Sequence, residues 1–315
     1  MAVYGAISTI DSVVLATSLA DYRPTMTDNV YQSNEVLKRL KTVKENIDGG
    51  LSIVQPIMTV KQDDGGFYLG ADVLNNTQKN FANQVEFLWQ NAYEPIVLTL
   101  DEERQNSGNE HKILSLVASK TKSSEKALAD RLEQALTTPV ASANNLLDFE
   151  TMCGTAAYGS ITGATVTAWQ ATVTTSGAFT TQGLSDMTTG TYAVSASAEM
   201  DNPTDYIMTK TIFQKFEQTR LPLERIANGN LNFNAGARSL SFKGRPVYYG
   251  NYVASGLLFG LNFNYIHLSV DTMLDFMTTD FLKPVNQQLR VAYILVRLQA
   301  WTDNRRRHFK LQSIT

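Results

Sequence analysis

The sequence predicts an α+β fold, on three observations. A long helical stripe opens behind a capping box at Ser107 and stops before Pro139. A β-prone excursion, poor in apolar residues, follows Gly49-Gly50 and runs to about residue 105. Finally, Leu289 to Trp301 alternates apolar residues on both faces, which suits a strand at the centre of a covered sheet.

Composition narrows the function before any motif is considered. Of 315 residues, 43% are hydrophobic and 10% aromatic, enough for a sizeable core and against global disorder. Lys and Arg number 27 against 30 Asp and Glu, a net charge of −3, whereas a protein that coats nucleic acid needs a dense basic footprint. The single cysteine, Cys153, forbids an intrachain disulfide and is too few for a thiolate zinc cage. The amino end carries Asp11 and no basic flank, unlike a signal peptide. No apolar run approaches the ~20 residues that span a bilayer. These features predict a soluble chain made in a reducing compartment.

In chain order, residues 1 to 48 predict an extended arm with one short helix carrying Val36, Leu37, Leu40 and Val43. Gly49-Gly50 permits a sharp change of direction. Leu51, Ile53, Ile57, Met58 and Val60 then lead to the tip Asp63-Asp64-Gly65-Gly66, with Phe67 to Leu69 resuming as the return strand. A further stretch holds Phe81, Val85, Phe87, Trp89 and Tyr93 and passes Pro95 into Ile96 to Leu100. Residues 49 to 105 lack the apolar density of a private core, so this arm has to bury itself against something else.

The long helix begins at Ser107-Gly108-Asn109-Glu110 and places Ile113, Leu116, Val117, Leu128, Leu132 and Leu136 on one stripe, with Ser123-Ser124 a candidate weak point. Residues 151 to 200 hold only Asp186 and Glu199 as charges, which predicts a β- and loop-rich surface region anchored by Tyr158, Trp169, Phe179 and Tyr192. A strand at Tyr206-Ile207-Met208 leads to a helix through Ile212, Phe213 and Phe216, and Lys243-Gly244 marks a hairpin between Leu240 and Tyr249.

Chemistry is sparse. His111, His267 and His308 lie far apart, and none has a metal-binding partner at helical spacing. His111 suits a solvated helix start, His267 a hydrogen-bonded core position, and His308 the basic cluster Arg305-Arg306-Arg307 near the carboxyl end. Cys153 has no neighbouring base and suits a small buried apolar site. Neither phosphate-binding glycine motif nor nucleophile elbow occurs, and Asp101-Glu102-Glu103 suits favourable charge at a helix start. The sequence therefore predicts no enzyme, no cofactor and no metal. The arginine run fits a solvated terminus, an acidic neighbour across an interface, or nucleic-acid phosphates.

The order of segments resembles the major capsid proteins of tailed double-stranded DNA bacteriophages, the Hong Kong-type phage capsid fold. Gly49-Gly50 through Leu100 looks like that family's E-loop hairpin, and Ser107 to Thr138 like its spine helix. Asn202 to Met208 with Phe213 and Phe216 looks like its A-domain strand and helix. Phe242-Lys243-Gly244 with Pro246-Val247 looks like its hairpin, and Leu289 to Trp301 like its long P-domain strand.

The resemblance implies an N-terminal arm at 1–48, an E-loop at 49–105, a P-domain spine helix at 106–140, an A-domain at 141–262, and P-domain return strands with the C-terminus at 263–315. It implies a structural subunit whose copies form hexamers and pentamers of an icosahedral or prolate capsid around double-stranded DNA. The expected contacts to sister copies are Ile53, Ile57, Phe67, Trp89 and Tyr93, with Arg305, Arg306 and Arg307 at the C-terminus. A separate scaffolding protein, a portal, a decoration protein and non-specifically held DNA are the implied partners. There is no membrane partner, and the expected location is the virion capsid, assembled in the host cytoplasm. The alternative is an encapsulin-like compartment shell enclosing enzyme cargo, which a groove near the N-terminal helix would favour.

Overall fold

The computed structural model describes residues 35–61, 63–75, 77–105, 110–139, 146–195, 202–227, 240–285 and 287–315. Most of the predicted arm, residues 1–34, and the capping-box residues Ser107 to Asn109 lie outside these.

The helices are α1 (Glu35–Lys41), α2 (Leu100–Gln105), α3 (Glu110–Thr137), α4 (Phe149–Met152), α5 (Leu184–Val194) and α6 (Lys210–Ala227). The first six strands are β1 (Lys44–Ile47), β2 (Ser52–Met58), β3 (Ala82–Leu88), β4 (Gln90–Thr99), β5 (Thr172–Thr175) and β6 (Asp205–Thr209). The rest are β7 (Leu240–Phe242), β8 (Arg245–Gly250), β9 (Leu258–Leu261), β10 (Ile266–Asp271), β11 (Met277–Thr278), β12 (Leu289–Thr302) and β13 (Phe309–Gln312).

Strand β12 is the axis of a five-stranded sheet. It pairs antiparallel with β4 from Leu289↔Thr99 to Leu298↔Gln90, and on its other edge with β10 and β11. Strand β1 adds parallel to β10. Ala292, Ile294, Val296, Leu298 and Ala300, on one face of β12, are buried, whereas Tyr293 on the other is exposed; the expected cover on both faces is continuous only near the end of the strand, where Gln299 and Trp301 are buried as well. Helix α3 runs unbroken for 28 residues and buries Leu128, Leu132 and Leu136 in the same core. The expected weak point at Ser123-Ser124 is instead an attachment. Ser124 Oγ donates to the Pro95 carbonyl at 3.3 Å, and Lys120 Nζ to the Val97 carbonyl at 2.9 Å, both on β4.

A second sheet has six strands in the order β5-β13-β9-β6-β8-β7. Its core gathers Phe179, Met187, Tyr206, Phe216, Leu258 and Phe309. The β7–β8 turn falls at Lys243 and Gly244 with φ of 50° and 75°, the left-handed pair of a tight hairpin. The region expected to be β- and loop-rich contains helix α5. Its threonines turn their hydroxyls onto the preceding turn, Thr188 to the Leu184 carbonyl at 2.8 Å and Thr191 to that of Met187 at 2.7 Å. Gly190 lets α5 lie on Phe309, since a Cβ there would come within 2.7 Å of the ring. Among the described residues, no helix is long and apolar enough to cross a membrane.

Candidate functional site

The feature that sets this molecule apart is the hairpin of β2 and β3, paired from Ser52↔Leu88 to Met58↔Ala82 and closed by a last bond from Thr59 N–H to the Phe81 carbonyl at 3.0 Å. Period-two alternation gives it two faces. Ile53, Val85 and Phe87 turn inward and are buried, while Val54, Met58 and Leu88 are exposed. The inward face rests on its own chain. Phe87 meets Tyr158 edge-on with ring centroids 5.2 Å apart and lies 5.4 Å from Trp301. Ser160 Oγ accepts the Glu86 N–H at 3.0 Å and donates to the Gln84 carbonyl at 3.3 Å. Gln299 Nε2 donates to the Leu88 carbonyl at 2.8 Å.

Beyond Thr59 the chain leaves this support. Among the described residues of 59 to 81 there is no strand, so the return begins at Ala82 and not at Phe67. The reason is register: Ile53 faces Phe87, which leaves the acidic-glycine segment inside a long excursion and not at a tight tip. The excursion is braced by Lys79 to Asp64 at 2.7 Å, Lys61 to Asp63 at 3.3 Å, and a turn in which Leu69 N–H donates to Asp72 at 2.9 Å. Its apolar side chains face outward: Phe67 is fully exposed, Val73 99% and Leu69 86%. A run of exposed large apolar side chains on one projection marks an interaction surface.

The residues expected to contact sister copies therefore divide. Phe67 and Tyr93, the latter 58% exposed and 6.1 Å from the Tyr293 ring, are free to meet another molecule. Ile53 and Trp89 are buried within their own chain, and Ile57 packs against the same core. The segment 49–105 is thus not uniformly without a private core. Its last strand, β4, is bound along its length into the main sheet, a pairing to residues 289–298 that local pattern could not announce. Sequence reasoning also missed Met273, Leu282 and Val285, exposed around β11; they follow no period, so patterning carried no signal for them.

The arginine run also divides. Arg305 is fully buried, its guanidinium donating to the carbonyls of Met152, Ala156, Trp169, Thr151 and Gly154 at 2.6 to 3.1 Å and lying over the Tyr158 ring. Its side chain is an internal clip. Arg306 is exposed, and Arg307 donates to the Val194 carbonyl at 3.0 Å. Both border a cleft of about 580 Å³ beside Gln55 to Met58. His308 does not belong to a basic cluster. It is buried, accepts the Asn262 N–H on Nδ1 at 3.1 Å, and meets Thr302 Oγ1 at 2.9 Å. Burial and the Arg305 charge push its pKa down to about 3, so it is neutral. His267 is hydrogen-bonded to Glu45 at the sheet surface, half-buried. Cys153 is buried, and burial pushes its thiol up to about 12. Among the described residues, no group of three or more His, Cys, Asp or Glu could hold a metal ion.

No protein-family model and no curated protein matches the sequence. Solved structures do match it. The chain aligns with one from the Cyanophage A-1(L) capsid asymmetric unit at a TM-score of 0.72 and 14% identity, covering 96% of this chain and 99% of that one. A chain from the capsid of a native GTA particle aligns at 0.65 and 12% identity, covering 98% and 100%. One from the holo-SrpI encapsulin complex of Synechococcus elongatus aligns at 0.55 and 11% identity, covering 98% and 96%. Agreement over nearly whole chains at such low identity is agreement of fold: this chain has the Hong Kong-type phage capsid fold.

Proposed function

We propose that this chain is a non-catalytic shell subunit whose copies close into hexamers and pentamers of an icosahedral or prolate capsid around double-stranded DNA. The observation that carries the reading is the excursion at 59–81, which holds Phe67, Leu69 and Val73 in solvent while the hairpin base is seated in its own core. In this reading β2, β3 and the excursion are the E-loop, α3 is the spine helix, the six-stranded sheet belongs to the A-domain, and the β12 sheet is the P-domain.

A projection of this kind lies across a sister copy. Each large apolar side chain buried there contributes about 1.5–3 kcal/mol, repeated at every symmetry-related contact. Tyr93 and Arg306 supply further contact, and the near-neutral charge lets packaged DNA leave again. Scaffolding, portal and decoration proteins are the accompanying partners, and the virion is the location.

The test is assembly. Purified full-length protein should give rings or shells by negative-stain imaging, and replacing 60–80 with a short glycine link from Thr59 to Phe81 should leave a folded subunit that forms no stable particles. Intact particles from that variant would refute the role given to the excursion.

One observation favours a compartment shell as the second reading. A cavity of about 310 Å³ lies between α1, α3 and β10, with Leu37, Leu132, Leu136, Leu268 and Phe276 along its walls and Lys41, Lys44 and Asp275 also lining it. A cavity beside the first described helix suits an apolar cargo peptide. Particles isolated from the native host that hold protein and no nucleic acid would decide for it.

A further inference from the structure

Two titratable groups outside the hairpin grip one short stretch of chain. Glu133, on α3, is completely buried. One of its carboxyl oxygens accepts the Leu37 N–H of α1 at 3.3 Å, and the other, Oε1, finds no hydrogen-bond partner among the described residues. Among those residues no cation pairs with it either. Arg39 forks onto Asp205 at 2.8 and 3.0 Å, and Lys38 bonds Glu35 at 2.8 Å on the exposed side of α1. The charged and titratable groups around Glu133 are Glu35 and Lys38 on α1, Asp130 on α3, Tyr248 on β8, and Tyr252 in the turn after β8, whose hydroxyl donates to Asp130. A buried carboxylate in that company is unfavourable, whereas a carboxylic acid is tolerated.

The second group is His267 on β10, which meets Glu45 on the adjoining strand β1 with Nδ1 to Oε1 at 2.8 Å. Asp303 stands on its other side, with Nε2 to Oδ2 at 3.5 Å, and the imidazole stacks on Trp301 with centroids 4.5 Å apart. An imidazolium between two carboxylates binds both, and a neutral ring loses that attraction.

We propose that Glu35–Ile47, the stretch that carries the chain into the hairpin, is a proton-operated latch, closed in mild acid and loosened as pH rises through neutrality. The two grips act in the same direction. Burial, reinforced by Asp130 and Glu35, holds the Glu133 carboxyl up to about 7. Asp303, and then Glu45, raise His267 above its ordinary value against the opposing effect of burial. Both groups bind protons more tightly when the stretch is docked, so docking is strongest below their undocked values and weakens as pH climbs through the docked ones. The Arg39–Asp205 fork and the Lys44–Asp275 ion pair also hold the stretch, so it loosens without leaving. Gly49 and Gly50, at φ of 68° and 103°, join it to the hairpin. The latch is a property of the single subunit and operates whether or not copies assemble.

Hydrogen–deuterium exchange of the full-length protein tests it, with assembly state held constant across pH and rates corrected for intrinsic base catalysis. Amides of 37–47 should open on the order of 30-fold more readily at pH ~8 than at pH ~5.5 from Glu133 alone, while those of β12 stay unchanged. Glu133→Gln keeps an acceptor for Leu37 and should remove most of the dependence, and adding His267→Gln should flatten it. A wild-type stretch equally protected at both pH values overturns the latch, as does full dependence persisting in the double variant. The wild-type comparison stands alone if either variant fails to fold.

Discussion

Phe87 and Tyr158 meet edge-to-face, 5.2 Å between centroids, and join the base of the hairpin to the loop after α4. Gly159 makes the approach possible, because a Cβ there would lie 2.5 Å from Val85 and 3.0 Å from Phe87. The hairpin base is therefore part of the subunit's own core. Phe87→Ala should destabilise the subunit by about 3–5 kcal/mol in a denaturant titration. Phe67→Ala, at the free end of the same hairpin, should change it by less than ~0.5 kcal/mol.

Arg305 and Arg306 are neighbours with opposite environments. Removing the Arg305 guanidinium takes a donor from five carbonyls, of which those of Thr151 and Gly154 keep another in the N–H groups of Gly154 and Ala171, so Arg305→Met should cost about 3 kcal/mol or more. Arg306→Met should be nearly silent in the same thermal or chemical melt, because that side chain is exposed. Equal losses from the two variants would contradict the clip assigned to Arg305.

His308 predicts acid sensitivity. Its folded pKa of about 3 lies below the ordinary 6.5, so between these values the unfolded chain binds a proton that the native one refuses. Its contribution to stability is complete above about 6.5 and is lost as pH falls toward 3. His308→Gln should flatten the acid limb of a stability–pH curve. The sign is opposite to that of the Glu133 and His267 grips, which weaken on the alkaline side.

Cys153 should resist thiol reagents in the native state and react once denaturant is added. Its thiol is buried and held up to about 12, and the thiolate is the reactive form. Rapid native labelling at neutral pH would show that the loop after α4 opens far more readily than its packing implies.

Much of the architecture was legible where it is local. The stripe ending at Leu136 marked α3, Lys243-Gly244 marked a hairpin turn, and the apolar alternation of 289–301 marked the central strand, though not that its Tyr293 face lies open. What was hidden depends on distance along the chain. Trp89 and Ile53 looked available for a neighbour because what covers them is distant in sequence: the Arg297 guanidinium lies over the Trp89 ring, and Ile53 joins a core drawn from the whole chain. Helix α5 was concealed by threonines whose low helical preference is outweighed by burial of Met187, Thr191 and Val194. The arginine run looked like surface because nothing near Arg305 in sequence announces five carbonyls converging on it.

The attachment of α3 to β4 has a consequence for how copies can join. An open strand edge invites ribbon-like growth into fibres. Here Pro95 brings no donor, and the carbonyls of Pro95 and Val97 are already occupied by Ser124 and Lys120. That margin is closed to stacking, which, in the shell reading proposed above, leaves association to side-chain contacts whose angles can bend into a sealed container.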